Sequence, residues 1–264
     1  GDFTMVIGYP GTTKEYLFSD AIKMQYEIIN PIRIKARTKK LEIINEAMNK
    51  SNDLRIKYSA KQSGIANGWK KWIGENRGIK RTGIIDKKQM EEREYEKWIN
   101  SDNKRKLVYG DLINNFRQLY TNITPLLKIN TYIFEAGMGS GIIDLCAVFR
   151  NLVEISSIEN PDETDIQQSI SEMLEYTNNY FKDYDIETDK KLFSGMLEVM
   201  YNDCMKEYYP NLFNEIKNKY NGVIEKYTDY IYSKSIFSNE NAIKKLLTDY
   251  KPSDKKKILK DPAY

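Results

Sequence analysis

Apolar positions recur with a helical period along nearly the whole chain. The clearest case is the stretch YSAKQSGIANGWKKWIGENRG, from Tyr58 to Gly78. There Tyr58, Ile65, Trp69, Trp72 and Ile73 fall within about a third of the circumference at roughly 100° per residue, the width of a core-facing stripe. The other side carries Ala60, Ser63, Gly64, Asn67 and Gly74, side chains too small to fill space, so something is expected to come close there. A neighbouring helix backbone would meet that need, and so would a ligand or a second domain. Asn67 lies mid-face, and its amide combines two donors with two acceptor sites, which suits a peptide backbone or terminus. Most asparagines are solvated or cap a helix, so the residue alone decides nothing.

The same periodicity predicts a helix over residues 16–29, built on Leu17, Ala21, Met24 and Ile28 and ended at Asn30-Pro31, because the residue before proline resists the α region. A helix resumes over residues 32–48, where the many basic residues read as a solvated face. Ser51-Asn52-Asp53 then offers N-cap oxygens to the helix that holds Asn67. Gly78 and Gly83 bracket a break before helical patterns over 84–99 and 106–120, and Pro125 can open another helix at its first turn. Further helices are predicted over 166–180, 189–208, 212–231, 239–247 and 253–259. Only Asp2 to Ile7, reading DFTMVI, has strand character, and it runs into Gly8-Tyr9-Pro10-Gly11, a tight-turn sequence. No partner strand follows, and a lone strand leaves its backbone groups unpaired, so the chain reads as a piece of a longer one. The fold expected is a mostly α domain with one short N-terminal β-strand.

The glycine-bearing run Glu135-Ala136-Gly137-Met138-Gly139-Ser140-Gly141 admits two readings. As a loop between a strand at Thr131 to Phe134 and a following helix, it resembles the S-adenosylmethionine loop of methyltransferases, with Glu154 as the acidic ribose ligand. As part of a helical segment, its glycines simply allow tight packing. The second reading is preferred, since a doubly wound sheet cannot be built from one strand.

Composition removes several functions. Lys+Arg 41 against Asp+Glu 38 leaves a formal charge of +3 spread along 264 residues, which does not make the concentrated positive field of a nucleic-acid surface. No stretch approaches the roughly 18 uncharged apolar residues of a membrane helix, and the N-terminus lacks a signal-peptide pattern. Cys146 and Cys204 sit in apolar segments and cannot form a disulfide framework, although a single bridge stays open. The histidine count is zero. A Ser/His/Asp site and a zinc site of the usual kind therefore cannot be completed within these residues, and no cofactor or metal is expected.

Two ordered sets of residues carry a family resemblance. Gly1-Asp2-Phe3, Met5-Val6, Gly8-Tyr9-Pro10-Gly11, Thr13 and Tyr16 form the first. Tyr58, Lys61, Ala66-Asn67, Trp69-Lys70 and Ile73-Gly74 form the second, with Asn30-Pro31, Lys39, Leu41 and Asn45-Glu46-Ala47-Met48 correctly spaced between them. Together they resemble the bacterial dipeptidyl-peptidase 7 and 11 family of serine exopeptidases, best over the first third of the chain. The resemblance implies a chymotrypsin-like double β-barrel carrying the triad, with a large helical cap inserted between its halves. Residues 1–15 would then end the first barrel half, residues 16–264 would be the cap, and the family's His, Asp and Ser would lie elsewhere. It also implies a substrate-binding role for Asn67, within a Tyr-x-x-Lys and Asn-x-x-Lys pattern at Tyr58, Lys61, Asn67 and Lys70, in gripping the free amine of a peptide. The implied partners are a peptide with a free N-terminus and the absent barrel domain, a homodimer is one assembly it allows, and the implied location is the periplasm or cell surface.

Overall fold

The computed structural model describes every residue except 6, 8–11, 205 and 209, together with the side chain of residue 206. Among the described residues the architecture is helical throughout. The first helices are α1 (Ser19–Met24), α2 (Asn30–Met48), α3 (Asn52–Thr82), α4 (Ile84–Asn100), α5 (Asn103–Tyr109) and α6 (Leu112–Tyr132). They are followed by α7 (Gly141–Val148), α8 (Arg150–Ile155), α9 (Glu163–Lys182), α10 (Ile186–Asp203), α11 (Asn211–Lys219), α12 (Ile224–Lys234), α13 (Glu240–Thr248) and α14 (Lys255–Leu259). No single helix among the described residues is long and apolar enough to cross a membrane.

The predicted strand is not found. Residues 1–5 and 7 form no strand, and Phe3, Met5 and Ile7 project into solvent. The physical reason is the one that made the strand an orphan in the sequence: no second strand exists among the described residues to complete its hydrogen bonds. The Gly8-Tyr9-Pro10-Gly11 turn lies outside the described residues.

Asn30-Pro31 does not end a helix. Gln25–Ile29 forms a π-helical turn that joins α1 to α2 without a gap, and Pro31 falls in the first turn of α2. A π-turn widens the hydrogen-bond ladder locally, and a proline there removes a donor the ladder can spare. Pro125 likewise sits inside α6, not at a helix start. The expected helix over 212–231 is interrupted where Asn221 and Gly222 take positive φ angles of 55° and 76°, separating α11 from α12.

Two predicted caps are present. Ser51 Oγ accepts from Leu54 N at 3.1 Å to start α3, and Gly83 ends it in the left-handed region at φ 59°.

The main core is built by α6 to α14 with two residues of α2, Ile32 and Ala36, and its largest fully buried side chains include Phe149, Phe213 and Phe237. Cys146 and Cys204 are both buried in it as small apolar groups, and burial pushes the Cys146 thiol up from its ordinary value. Within this body Asp189 is fully enclosed. Its carboxylate accepts from Gly141 N at 2.5 Å, Ile142 N at 2.9 Å and Tyr232 Oη at 2.8 Å, which caps α7 and answers a buried charge with three donors. Burial raises its pKa, and the charge of Lys61, followed by these hydrogen bonds, pulls it back.

A smaller cluster of Ile43, Ile44, Tyr58 and Leu192 fastens the start of α3 to α2 and α10. Contacts between α2 and α3 pair descending with ascending numbers: Asn45 with Gln62, Thr38 with Trp69, and Asn30 with Asn76. The two helices are therefore an antiparallel hairpin. α2 rests on the main body through Ile32 and Ala36, whereas α3 lies outside it and buries only Tyr58 and Trp72.

Candidate functional site

The outer position of α3 decides what its faces do. Tyr58 and Trp72 of the apolar stripe are buried, while Ile65, Trp69 and Ile73 are half-buried against α2. The small face is open. Ala60, Ser63, Gly64, Asn67 and Gly74 are all exposed, and a Cβ built on Gly64 or Gly74 would meet no atom within 4 Å. Of the readings open for this face, packing of another helix of this chain is not found among the described residues.

Asn67 borders a groove of about 500 Å³ between the two helices. Thr38, Leu41, Glu42 and Asn45 line it from α2, and Gln62, Ser63, Asn67 and Lys70 from α3. Three side-chain amides thus share one open cleft. Asn45 accepts from Gln62 Nε2 at 3.4 Å, whereas the Asn67 amide has no hydrogen-bond partner among the described residues. An amide left with its donors and acceptors facing a solvent-filled groove is able to take a ligand that offers both.

Behind Asn67 lies a charged assembly that the sequence reading missed. Arg37 Nε donates to Glu135 Oε2 at 3.0 Å, and Arg37 Nη1 donates to the Ile65 carbonyl at 3.3 Å. The guanidinium carbon stands 4.4 Å from the Trp72 ring centroid, and that of Arg33 stands 4.9 Å from it. These basic residues were expected on a solvated face. The i, i+4 spacing of Arg33 and Arg37 opposite a tryptophan was the available signal.

Lys40 belongs to the same region. Burial, aided by Arg37 and Lys61, lowers its pKa to about 8, while Glu135 and Asp144 pull it back upward.

The glycine-bearing segment is helical where the cofactor reading required a strand. Thr131 and Tyr132 end α6, Ile133–Gly137 is a π-turn, and α7 begins at Gly141. Its glycines serve packing: a Cβ on Gly139 would lie 2.7 Å from Met196 Cγ and 3.0 Å from Lys40 Cε, and one on Gly141 would collide with the Tyr180 hydroxyl. The methyltransferase alternative therefore has no structural support, and Glu135 is an ion-pair partner of arginine.

The described fold is helical with an open groove, and the chain has no histidine, hence lacks the most common general base. The sequence model of the Peptidase S46 family matches residues 1–264, and the chain belongs to that family. Among its relatives, an Asp/Glu-specific dipeptidyl-peptidase of Capnocytophaga gingivalis is 33% identical over 252 residues, covering 94% of this chain and 34% of that protein. A dipeptidyl-peptidase 7 of Porphyromonas endodontalis is 32% identical over 265 residues, 100% of this chain and 31% of the relative. The chain thus spans about a third of the curated relatives it matches. The crystal structure of Porphyromonas endodontalis DPP11 shares the fold with a TM-score of 0.75 at 22% identity, over 97% of this chain and 36% of that one. The same enzyme has been solved with the dipeptide Arg-Glu, and this chain aligns to that structure with a TM-score of 0.74.

Proposed function

We propose that this chain is the helical substrate-gating domain of a serine-type dipeptidyl-peptidase that releases dipeptides from the N-terminus of oligopeptides. The observation that carries the reading is Asn67, an exposed amide of an outer helix with no partner among the described residues, bordering an open groove of about 500 Å³. Its carbonyl oxygen can accept from a peptide's α-ammonium, and its NH₂ can donate to a peptide carbonyl. An internal peptide nitrogen carries no charge and a single donor, so such a grip favours chain ends.

The reacting groups belong to a barrel domain beyond these residues, to which residues 1–15 would contribute. There a serine would attack the scissile carbonyl with histidine as base, and an oxyanion hole would take the developing charge. The absence of histidine here accords with that division, and the 264-residue chain by itself is then inactive. The helical domain would narrow entry to peptide termini, exclude water on closing and move against the barrel. The full protein would act in the periplasm or at the cell surface, as a monomer or a homodimer.

The test is to express these residues within their complete gene and assay release of dipeptides from peptides with free and with acetylated N-termini. Release from the free amine alone, and none from the 264-residue chain, is the expected result. Equal cleavage of acetylated peptides would contradict the proposed role of the groove.

A further inference from the structure

Outer helix α3 is buried at Tyr58 and again at Trp72, and Asn67 stands on the span between these anchors. On that span side chains of α2 reach α3: Thr38 accepts from Trp69 Nε1 at 2.9 Å, and Arg37 makes the more extensive set of contacts. Arg37 donates to the carbonyl of Ile65, lies where a side chain at Gly68 would be, and stacks on Trp72. A Cβ on Gly68 would lie 2.5 Å from Arg37 Nη1, so the glycine makes room for the guanidinium on the turn that carries Asn67. The other end of the fork is held from a third element. Glu135, in the π-turn after α6, faces Arg37 Nε at 3.0 Å and Nη2 at 3.5 Å, and its side chain is only 12% exposed.

We propose that Arg37, oriented by Glu135, is a positioning residue that sets the height and rotation of the Asn67 turn and thereby the grip on a peptide's amino end. The inference rests on the reading of Asn67 given above. Arginine suits the task because its planar fork can donate to a carboxylate and a carbonyl while its face covers an indole. A lysine reproduces neither the fork nor the stacking. Arg37 itself touches no substrate in this scheme, so its loss acts through Asn67.

The experiment uses the complete protein, with KM, kcat and melting temperature measured on free-amine peptides for Arg37→Lys, Glu135→Gln, Glu135→Ala, the Arg37→Lys/Glu135→Ala pair and Asn67→Ala. Arg37→Lys is expected to raise KM about 5-fold or more with kcat within about 2-fold, the signature of lost binding and not of lost chemistry. Glu135→Ala should match it, Glu135→Gln should do less, and the double variant should be no worse than either single one, because the two side chains act as one unit. A fall in melting temperature with KM unchanged in every variant would overturn the proposal and leave the assembly a structural brace. Asn67→Ala separates the two levels. If it impairs binding while Arg37→Lys does not, the positioning role alone is wrong; if it impairs nothing, the reading of Asn67 is wrong and the positioning role falls with it.

Discussion

Asn30 and Asn67 stand on the same helical hairpin and carry the same amide, in opposite surroundings. Asn30 is completely buried where the π-turn passes into α2. Its Nδ2 donates to Asn76 Oδ1 at 2.7 Å and to Glu75 Oε2 at 3.1 Å, its Oδ1 accepts from Gln25 Nε2, and Asn76 continues the chain to the Tyr26 carbonyl. Every polar atom of that side chain is used inside the protein. Asn67, about two and a half turns before Asn76 on α3 at about 3.6 residues per turn, is exposed and has no partner among the described residues. A saturated amide fixes structure, because leaving it unpaired costs free energy; an unsaturated one in an open groove is free to bind.

The first consequence concerns stability. Asn30→Ala removes one amide and strands the groups that faced it, so it is expected to cost about 2–3 kcal/mol in chemical or thermal unfolding. A cost below about 0.5 kcal/mol would break the comparison, since Asn30 would then be no more structural than a surface residue.

A smaller effect tests the charged region between the two amides. Lys40 has a folded pKa of about 8 against an ordinary value of 10.5. Between those two values the unfolded chain binds the proton and the folded chain does not, so this residue makes stability rise with pH across that window. Lys40→Met should flatten the rise by on the order of 1 kcal/mol, after allowing for partial exposure of the ammonium. The measurement is the difference between variant and parent, because the raised pKa of buried Tyr180 works in the opposite sense above about pH 10 in both proteins. A difference that is constant from pH 7 to 10.5 would show that Lys40 is fully solvated.

Much of this was legible in the chain. Helical period and the Ser51 cap located the start of α3 correctly, although the helix runs through Gly78, where a break was expected, and stops only at Gly83; the small face of that helix pointed to Asn67 before any contact was known. The errors have physical causes. Proline was read as a helix stop at Asn30-Pro31 and as a start at Pro125, but a π-turn absorbs the first and the second lies within a continuous helix. DFTMVI has strand propensity without a partner among the described residues, and propensity alone makes no ladder. The arginines of α2 were taken for solvated charge because periodicity marks a residue's face and says nothing of which ring or carboxylate lies opposite. Glu135 drew attention for the wrong chemistry, since a glycine-rich run reads alike as a cofactor loop or as close packing until its neighbours are seen.

The role given to Asn67 is tested most directly by one variant read in two ways. Asn67→Ala in the complete protein should lower kcat/KM for dipeptide release by about 10-fold or more, the loss of a charge-assisted hydrogen bond of roughly 1.5–3 kcal/mol. The same variant should shift unfolding by less than about 0.5 kcal/mol, as an exposed side chain without partners requires. Unchanged kcat/KM together with a large fall in melting temperature would contradict the account, making Asn67 a packing residue and the groove a feature of the surface alone.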